Sequence, residues 1–133
     1  MCKKIIILLF LSLSMSFEKE DIVDVLEDYN IAFGESDFSE IVKYFDFPAS
    51  FNLKDKTISA SNKFKLKLIY RKIRGGLPDY YAYSKWDKID LQLIDDSIVI
   101  ANAKYSRFKD DGTLYESGFA QYHLRFINEK WKI

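Results

Sequence analysis

The spacing of apolar residues changes once along this chain, and that change constrains the fold more than any other feature of the sequence. Before Gly75 the apolar residues recur at the spacing of amphipathic helices. After Pro78 they alternate with polar residues, as they do in half-buried β-strands. Helices followed by a run of strands are typical of an α+β fold. We therefore expect three N-terminal helices packed on one antiparallel sheet. Two short strands, Ala49–Leu53 and Thr57–Ala60, are also expected between the second and third helices.

The first 16 residues have the order of a secretory signal peptide. Lys3 and Lys4 precede an almost wholly apolar run, Ile5–Leu13, and small residues follow at Ser14–Ser16. This run is shorter than the roughly 20 residues that span a bilayer. A buried N-terminal strand or helix is the alternative interpretation. We expect residues 17–133 to form a single domain that is secreted or periplasmic, with no membrane anchor after cleavage.

The helical part of the chain carries start and stop signals. Gly34 can end a first helix, Asp37 can cap a second that stops before Pro48, and Ser61 can cap a third over Asn62–Arg74. The first helix is predicted from one apolar stripe, which consists of Ile22, Val25, Leu26, Tyr29 and Phe33.

Three long strands are predicted after the helices, over Asp79–Ile94, Ser97–Phe108 and Thr113–Ile127. In the first of them the apolar parity changes near Asp87, which indicates a β-bulge and hence a sharp bend. The inner faces of the next two strands carry small residues, namely Ala101, Ala103, Gly118 and Ala120. Together these features predict a strongly curved sheet that forms a cone, whose interior is either hollow or filled by aromatic side chains.

Several segments resemble the nuclear transport factor two-like superfamily, and in particular its small bacterial SnoaL-like (polyketide-cyclase-like) members. These segments are Tyr44–Pro48, Gly75–Gly76, Phe108–Thr113, Tyr122–Arg125 and Trp131–Ile133. The resemblance covers about Phe17 to Ile133 and implies a cystatin-like cone. It implies function only weakly, because one fold hosts isomerases, dehydratases, cyclases and binding domains.

A binding site for a small apolar or aromatic ligand is the first functional hypothesis. Arg107 shares the inner face of its strand and needs an anionic partner, which is either Glu116 on the next strand or a group on a ligand. The predicted walls are aromatic side chains with polar tips, namely Tyr29, Trp86, Tyr105 and Tyr122. We predict no cofactor at this site.

Proton-transfer chemistry is a second hypothesis, which the resemblance to ketosteroid-isomerase-like members suggests. That chemistry uses a tyrosine on the first helix, a carboxylate base and a second acid on an inner strand. Tyr29 matches the first position, and Asp46 or Asp55 is a candidate base. The inner strand Ser97–Phe108 contains no carboxylate, however, so we assign no catalytic residue.

Composition and pattern limit the partners. Twenty basic and twenty acidic residues give no net charge, which argues against a nucleic-acid binder. The one histidine, His123, lies on the outer strand face and the one cysteine is Cys2, so no metal site is predicted. The outer sheet face is rich in apolar residues and predicts a homodimer, or a protein-interaction module whose pocket is filled. Its apolar residues are Ile98, Ile100, Phe108, Phe119 and Ile127.

Overall fold

The structure of the protein is a computed structural model that describes residues 18–133, so the predicted signal peptide lies outside the described residues. Three helices precede the main sheet, and a small hairpin separates the second helix from the third. The elements are α1 (Lys19–Gly34), α2 (Phe38–Ile41) with a 3-10 turn (Val42–Tyr44), β1 (Ala49–Asn52), β2 (Thr57–Ala60), α3 (Lys63–Gly75), β3 (Tyr83–Asp95), β4 (Ile98–Phe108), β5 (Leu114–Ile127) and β6 (Lys130–Lys132).

The four C-terminal strands form one antiparallel sheet in the order β3-β4-β5-β6, and β1 pairs only with β2. The predicted α+β architecture is therefore confirmed. The register between β3 and β4 shifts between Trp86 and Lys88, where the parity change predicted a bulge. A second shift, between β4 and β5 at Arg107 and Phe108, leaves Tyr115 without a partner in the ladder. The β3–β4 register also shifts between Leu93 and Asp95, and bulges of this kind bend a strand locally.

Two local predictions need correction. The third helix is capped by Asn62, whose side chain accepts a hydrogen bond from the backbone N–H of Lys65, and not by Ser61. Asparagine and serine cap helices equally well, so residue type alone does not show whether Ser61 or Asn62 is the cap. The first long strand begins at Tyr83 rather than Asp79, because Tyr81 closes a turn by donating its backbone N–H to the Pro78 carbonyl.

The interior consists of two adjoining hydrophobic clusters. Ile22 and Leu26 of α1 are fully buried against Val99 and Ala101 of β4 and against Leu124 of β5. The small side chain of Ala101 lets α1 lie close to the sheet, and each buried Ile or Leu contributes roughly 1.5–3 kcal/mol. The second cluster joins α1 to α2 and α3 and is dominated by aromatic rings. Apart from Tyr115, the residues that β4 and β5 contribute to the two clusters lie on the strand faces that alternation predicts to be inward.

None of the helices among residues 18–133 is both long enough and apolar enough to cross a membrane.

Candidate ligand site at the open end of the sheet

Three tyrosines fill the middle of the aromatic cluster, and we call Tyr29, Tyr70 and Tyr122 the tyrosine core. The Tyr29 and Tyr70 hydroxyl groups lie 3.1 Å apart and share a hydrogen bond. The ring centroid of Tyr29 lies 6.0 Å from that of Tyr70 and 5.9 Å from that of Tyr122, and both contacts are edge-on. Because the rings pack in this geometry and the hydroxyls of Tyr29 and Tyr70 bind each other, the centre of the fold is filled.

Burial keeps the tyrosine core neutral. It raises the pKa of Tyr29 well above its ordinary value, and the neighbouring Tyr70 hydroxyl adds to this effect. Burial likewise raises the pKa of Tyr70 and of Tyr122. These phenols therefore carry their protons throughout the physiological range, and each can donate one hydrogen bond.

Trp86 lies beside the tyrosine core and ties the sheet to the first helix. Its indole N–H donates a hydrogen bond of 3.0 Å to the backbone carbonyl of Leu26, and its ring meets that of Tyr122 edge-on at 5.7 Å. In the strand register it stands opposite Tyr105, which stands opposite Gly118 on the other side. Trp86, Tyr105 and Tyr122 therefore share one partly buried inner surface.

Arg107 is held on two sides where β4 ends. Its Nη1 donates to Glu116 Oε2 at 3.1 Å, and its guanidinium carbon lies 4.8 Å from the centroid of the Tyr105 ring. The ring of Tyr105 in turn covers Gly118, where a Cβ atom would lie only 2.4 Å from the tyrosine oxygen. Glycine at this position makes room for the ring, and the ring and Glu116 together fix the direction of the guanidinium.

Two polar atoms at this end of the sheet are buried without a hydrogen-bond partner among residues 18–133: Arg107 Nε and the hydroxyl oxygen of Tyr115. Tyr115 is the unpaired residue of the second bulge, and its ring packs against the aromatic cluster and edge-on against Tyr80 at 4.9 Å. Burial raises the pKa of Tyr115, whereas the charge of Arg107 opposes that shift. We call Tyr105, Arg107, Tyr115 and Glu116 the mouth.

The five residues predicted to bind a ligand fall into two neighbouring groups. Tyr29, Trp86 and Tyr122 belong to the aromatic interior, and Tyr105 and Arg107 belong to the mouth. The predicted pairing of Arg107 with Glu116 is present. Sequence reasoning missed Tyr70, although it follows Leu66 at helical spacing, and it missed Tyr115, which strict alternation assigns to the outer face.

The proton-transfer hypothesis requires a carboxylate in the interior. Ser106 is the single buried side chain of the polar or charged class among residues 18–133, and it donates to Asp87 Oδ2 at 2.6 Å on the outer face. Asp46 is only half-buried and lies 3.8 Å from Arg125, and Asp55 is exposed in the β1–β2 turn. The described part of the chain therefore offers no interior base near Tyr29.

His123 is exposed on the outer face, as predicted, and its Nε2 lies 3.0 Å from Gln121 Oε1. Within residues 18–133, no group of three or more histidine, cysteine, aspartate or glutamate side chains is placed to hold a metal ion.

Comparison with solved structures shows the same fold at low sequence identity. A protein of unknown function with a cystatin-like fold from Nostoc punctiforme is 13% identical with a TM-score of 0.74, over 88% of this chain and 86% of that one. An NTF2-like protein of unknown function from Shewanella oneidensis is 13% identical with a TM-score of 0.66, over 85% and 91%. Aln2 from a Streptomyces species is 14% identical with a TM-score of 0.66, over 85% and 82%.

Among curated proteins no sequence matches this chain. A family model described as NTF2-like protein (DUF6841) matches residues 19–133, which are nearly all of the described residues. The helices, the curved sheet and the structural neighbours agree with this match and with the resemblance seen in the sequence. The chain therefore belongs to the NTF2-like family.

Proposed function

We propose that the mouth binds a small aromatic or apolar molecule that carries a hydrogen-bond acceptor, such as a carboxylate. The observation that carries this proposal is the pair of buried atoms without a partner, Arg107 Nε and the Tyr115 hydroxyl. Buried polar atoms in folded proteins are nearly always paired, and leaving one unpaired costs about 1–3 kcal/mol. Ligand oxygens that accept from these groups remove that cost.

The mouth offers a charged group to such a ligand in a fixed position. Glu116 and the Tyr105 ring hold the guanidinium before any ligand arrives, so little side-chain freedom is lost on binding. The apolar part of the ligand rests on Trp86, Tyr105 and Tyr122, which share the adjoining partly buried surface. Tyr29 supports this surface, because its ring packs edge-on against that of Tyr122.

A pair of matched probes tests this proposal. We expect 4-hydroxybenzoate to bind the purified protein in a calorimetric titration and 4-hydroxybenzyl alcohol, which lacks the carboxylate, to bind more weakly. Replacing Arg107→Gln removes a charged hydrogen bond and is expected to weaken binding of the benzoate about ten-fold. Arg125→Gln changes an exposed arginine on the outer face and serves as the control. Equal affinities of the Arg107→Gln variant and the original protein would contradict the proposal.

Unknown ligands are addressed by native mass spectrometry of the protein as it is purified. We expect a bound small molecule with an acidic or carbonyl group, and we expect it to be absent from the Arg107→Gln protein. A ligand that stays bound to both proteins would show that its site lies elsewhere.

A homodimer is the second candidate function, and Phe119 favours it. This side chain lies on the outer sheet face and is 82% exposed, which is unusual for a large aromatic residue. We propose that two copies pair through this face. Sedimentation analysis of the original protein and of Phe119→Ser is expected to give a dimer and a monomer, respectively. A monomer in both cases would contradict the proposal.

The proposed compartment depends on residues outside the described part of the chain. The signal-peptide pattern of residues 1–16 leads us to propose secretion or export to the periplasm. N-terminal sequencing of the protein recovered after export is expected to begin near Phe17, and an intact Met1 in the cytoplasmic fraction would contradict this.

A further inference from the structure

A concave surface lies at the opposite end of the sheet from the mouth. It is a cleft of about 710 Å³ between the first turns of α1, the 3-10 turn and β6. Its floor includes Phe126 and Trp131, whose ring centroids lie 5.3 Å apart. A volume of this size accommodates a ligand of a few hundred daltons.

Six charged residues of the cleft form no ion pair with any other residue in the described range 18–133. Asp21, Asp24 and Glu129 supply three negative charges, and Lys63, Lys130 and Lys132 supply three positive ones. Within residues 18–133, none of these six has an oppositely charged side chain within 4.0 Å. Two other residues of the same cleft, Glu40 and Lys43, do pair with each other at 2.8 Å.

The three positive charges of the cleft lie near one another. Partial burial lowers the pKa of Lys132, and the nearby charges of Lys130 and Lys63 lower it further. The Lys132 ammonium group donates to the backbone carbonyl of Lys43, which holds it in place. Asp21 and Asp24 lie one helical turn apart on α1 and face the cleft from another element.

We infer that this cleft binds a zwitterionic molecule with an apolar or aromatic side chain, that is, a free amino acid or a short peptide. The ammonium group lies toward Asp21 and Asp24, and the carboxylate lies toward Lys63, Lys130 and Lys132. The apolar side chain packs against Phe126 and Trp131. This site is separate from the mouth and does not depend on the function proposed there.

Three related molecules test separately the contributions of the ligand's ammonium and carboxylate groups. L-Phenylalanine carries both, N-acetyl-L-phenylalanine lacks the ammonium group, and L-phenylalaninamide lacks the carboxylate. We expect L-phenylalanine to shift the NMR signal of the Trp131 indole N–H in a saturable way. Since partly exposed charge pairs are weak, each derivative is expected to bind about five-fold more weakly than the amino acid.

Exposed charges provide matched variants. Lys130→Gln and Asp24→Asn are expected to weaken binding of L-phenylalanine, whereas Lys104→Gln and Asp110→Asn, which change exposed residues outside the cleft, are expected to leave it unchanged. Arg107→Gln is also expected to leave it unchanged, which distinguishes this site from the mouth. If N-acetyl-L-phenylalanine binds as tightly as L-phenylalanine, or if L-phenylalanine does not move the Trp131 signal, the inference is wrong.

Discussion

The tyrosine core and the mouth both contain buried tyrosine hydroxyls, but they differ in whether those hydroxyls have a hydrogen-bond partner. In the core, the hydroxyls of Tyr29 and Tyr70 bind each other. In the mouth, the Tyr115 hydroxyl and Arg107 Nε are buried with no partner among residues 18–133. We propose that this difference reflects two tasks: the core stabilises the fold, and the mouth keeps hydrogen-bond donors for a ligand.

This separation has a cost that falls on the mouth alone. Each unpaired buried donor lowers the stability of the free protein by about 1–3 kcal/mol. A protein selected for stability alone would replace such groups by apolar ones. Substitutions in the core are therefore expected to lower stability, whereas some substitutions in the mouth are expected to raise stability and weaken binding.

The largest expected effect comes from emptying the core. Tyr70 is 2% exposed, so Tyr70→Ala leaves a cavity and is expected to lower the free energy of unfolding by about 3–5 kcal/mol. Tyr80→Ala removes the same side chain from a site that is 49% exposed and is expected to cost far less. Urea denaturation measures both variants. Equal losses would contradict a packed core.

A smaller effect is expected from filling the space next to Tyr105. In Gly118→Ala the new methyl group would lie 2.4 Å from the Tyr105 hydroxyl, so the ring must move and its support of Arg107 is lost. We expect a loss of about 1–3 kcal/mol in stability together with loss of 4-hydroxybenzoate binding. Gly75→Ala, where no atom lies within 4 Å, is the control. Unchanged binding by the Gly118→Ala protein would show that the ring position does not matter.

Removing one oxygen from the mouth sharpens the comparison further. Tyr115→Phe deletes the unpaired hydroxyl and keeps the ring that packs on Tyr80. We expect stability to rise by about 1 kcal/mol and affinity for the benzoate to fall about five-fold. Tyr70→Phe removes a paired hydroxyl instead and is expected to lower stability, because it leaves Tyr29 one partner short. A loss of stability in Tyr115→Phe would mean that its hydroxyl is paired after all.

The smallest effect is the loss of stability that accompanies ionisation of the tyrosines, which occurs at high pH and not at neutral pH. A tyrosine whose pKa in the folded protein is raised above the unfolded value of about 10 contributes stability that is fully present below pH 10. This contribution is lost as the pH rises through the folded pKa. Burial and the neighbouring Glu40 raise the pKa of Tyr44 to about 12, and burial raises the pKa values of the core tyrosines as well. Absorbance of phenolate is expected to show Tyr29, Tyr70 and Tyr122 ionising only as the protein unfolds. Ionisation of all tyrosines near pH 10 in the folded protein would contradict this.

Much of the fold follows from local patterns in the sequence, and the site follows only in part. Alternation predicts the inner faces of β4 and β5, and the change of parity predicts the first bulge, because a strand repeats every second residue. The pairing of Arg107 with Glu116 follows from the same alternation of inward and outward side chains. Tyr115 does not follow, because the second bulge is set by tertiary packing and turns that residue toward the core.

Fluorine NMR of protein labelled with 3-fluorotyrosine tests the contrast between core and mouth most directly. Signals are assigned by single Tyr→Phe substitutions, and 4-hydroxybenzoate is then added. We predict that the signals of Tyr105 and Tyr115 shift, while those of Tyr29 and Tyr70 stay in place. Shifts at Tyr29 and Tyr70 with none at Tyr115 would place the ligand inside the core and contradict the account.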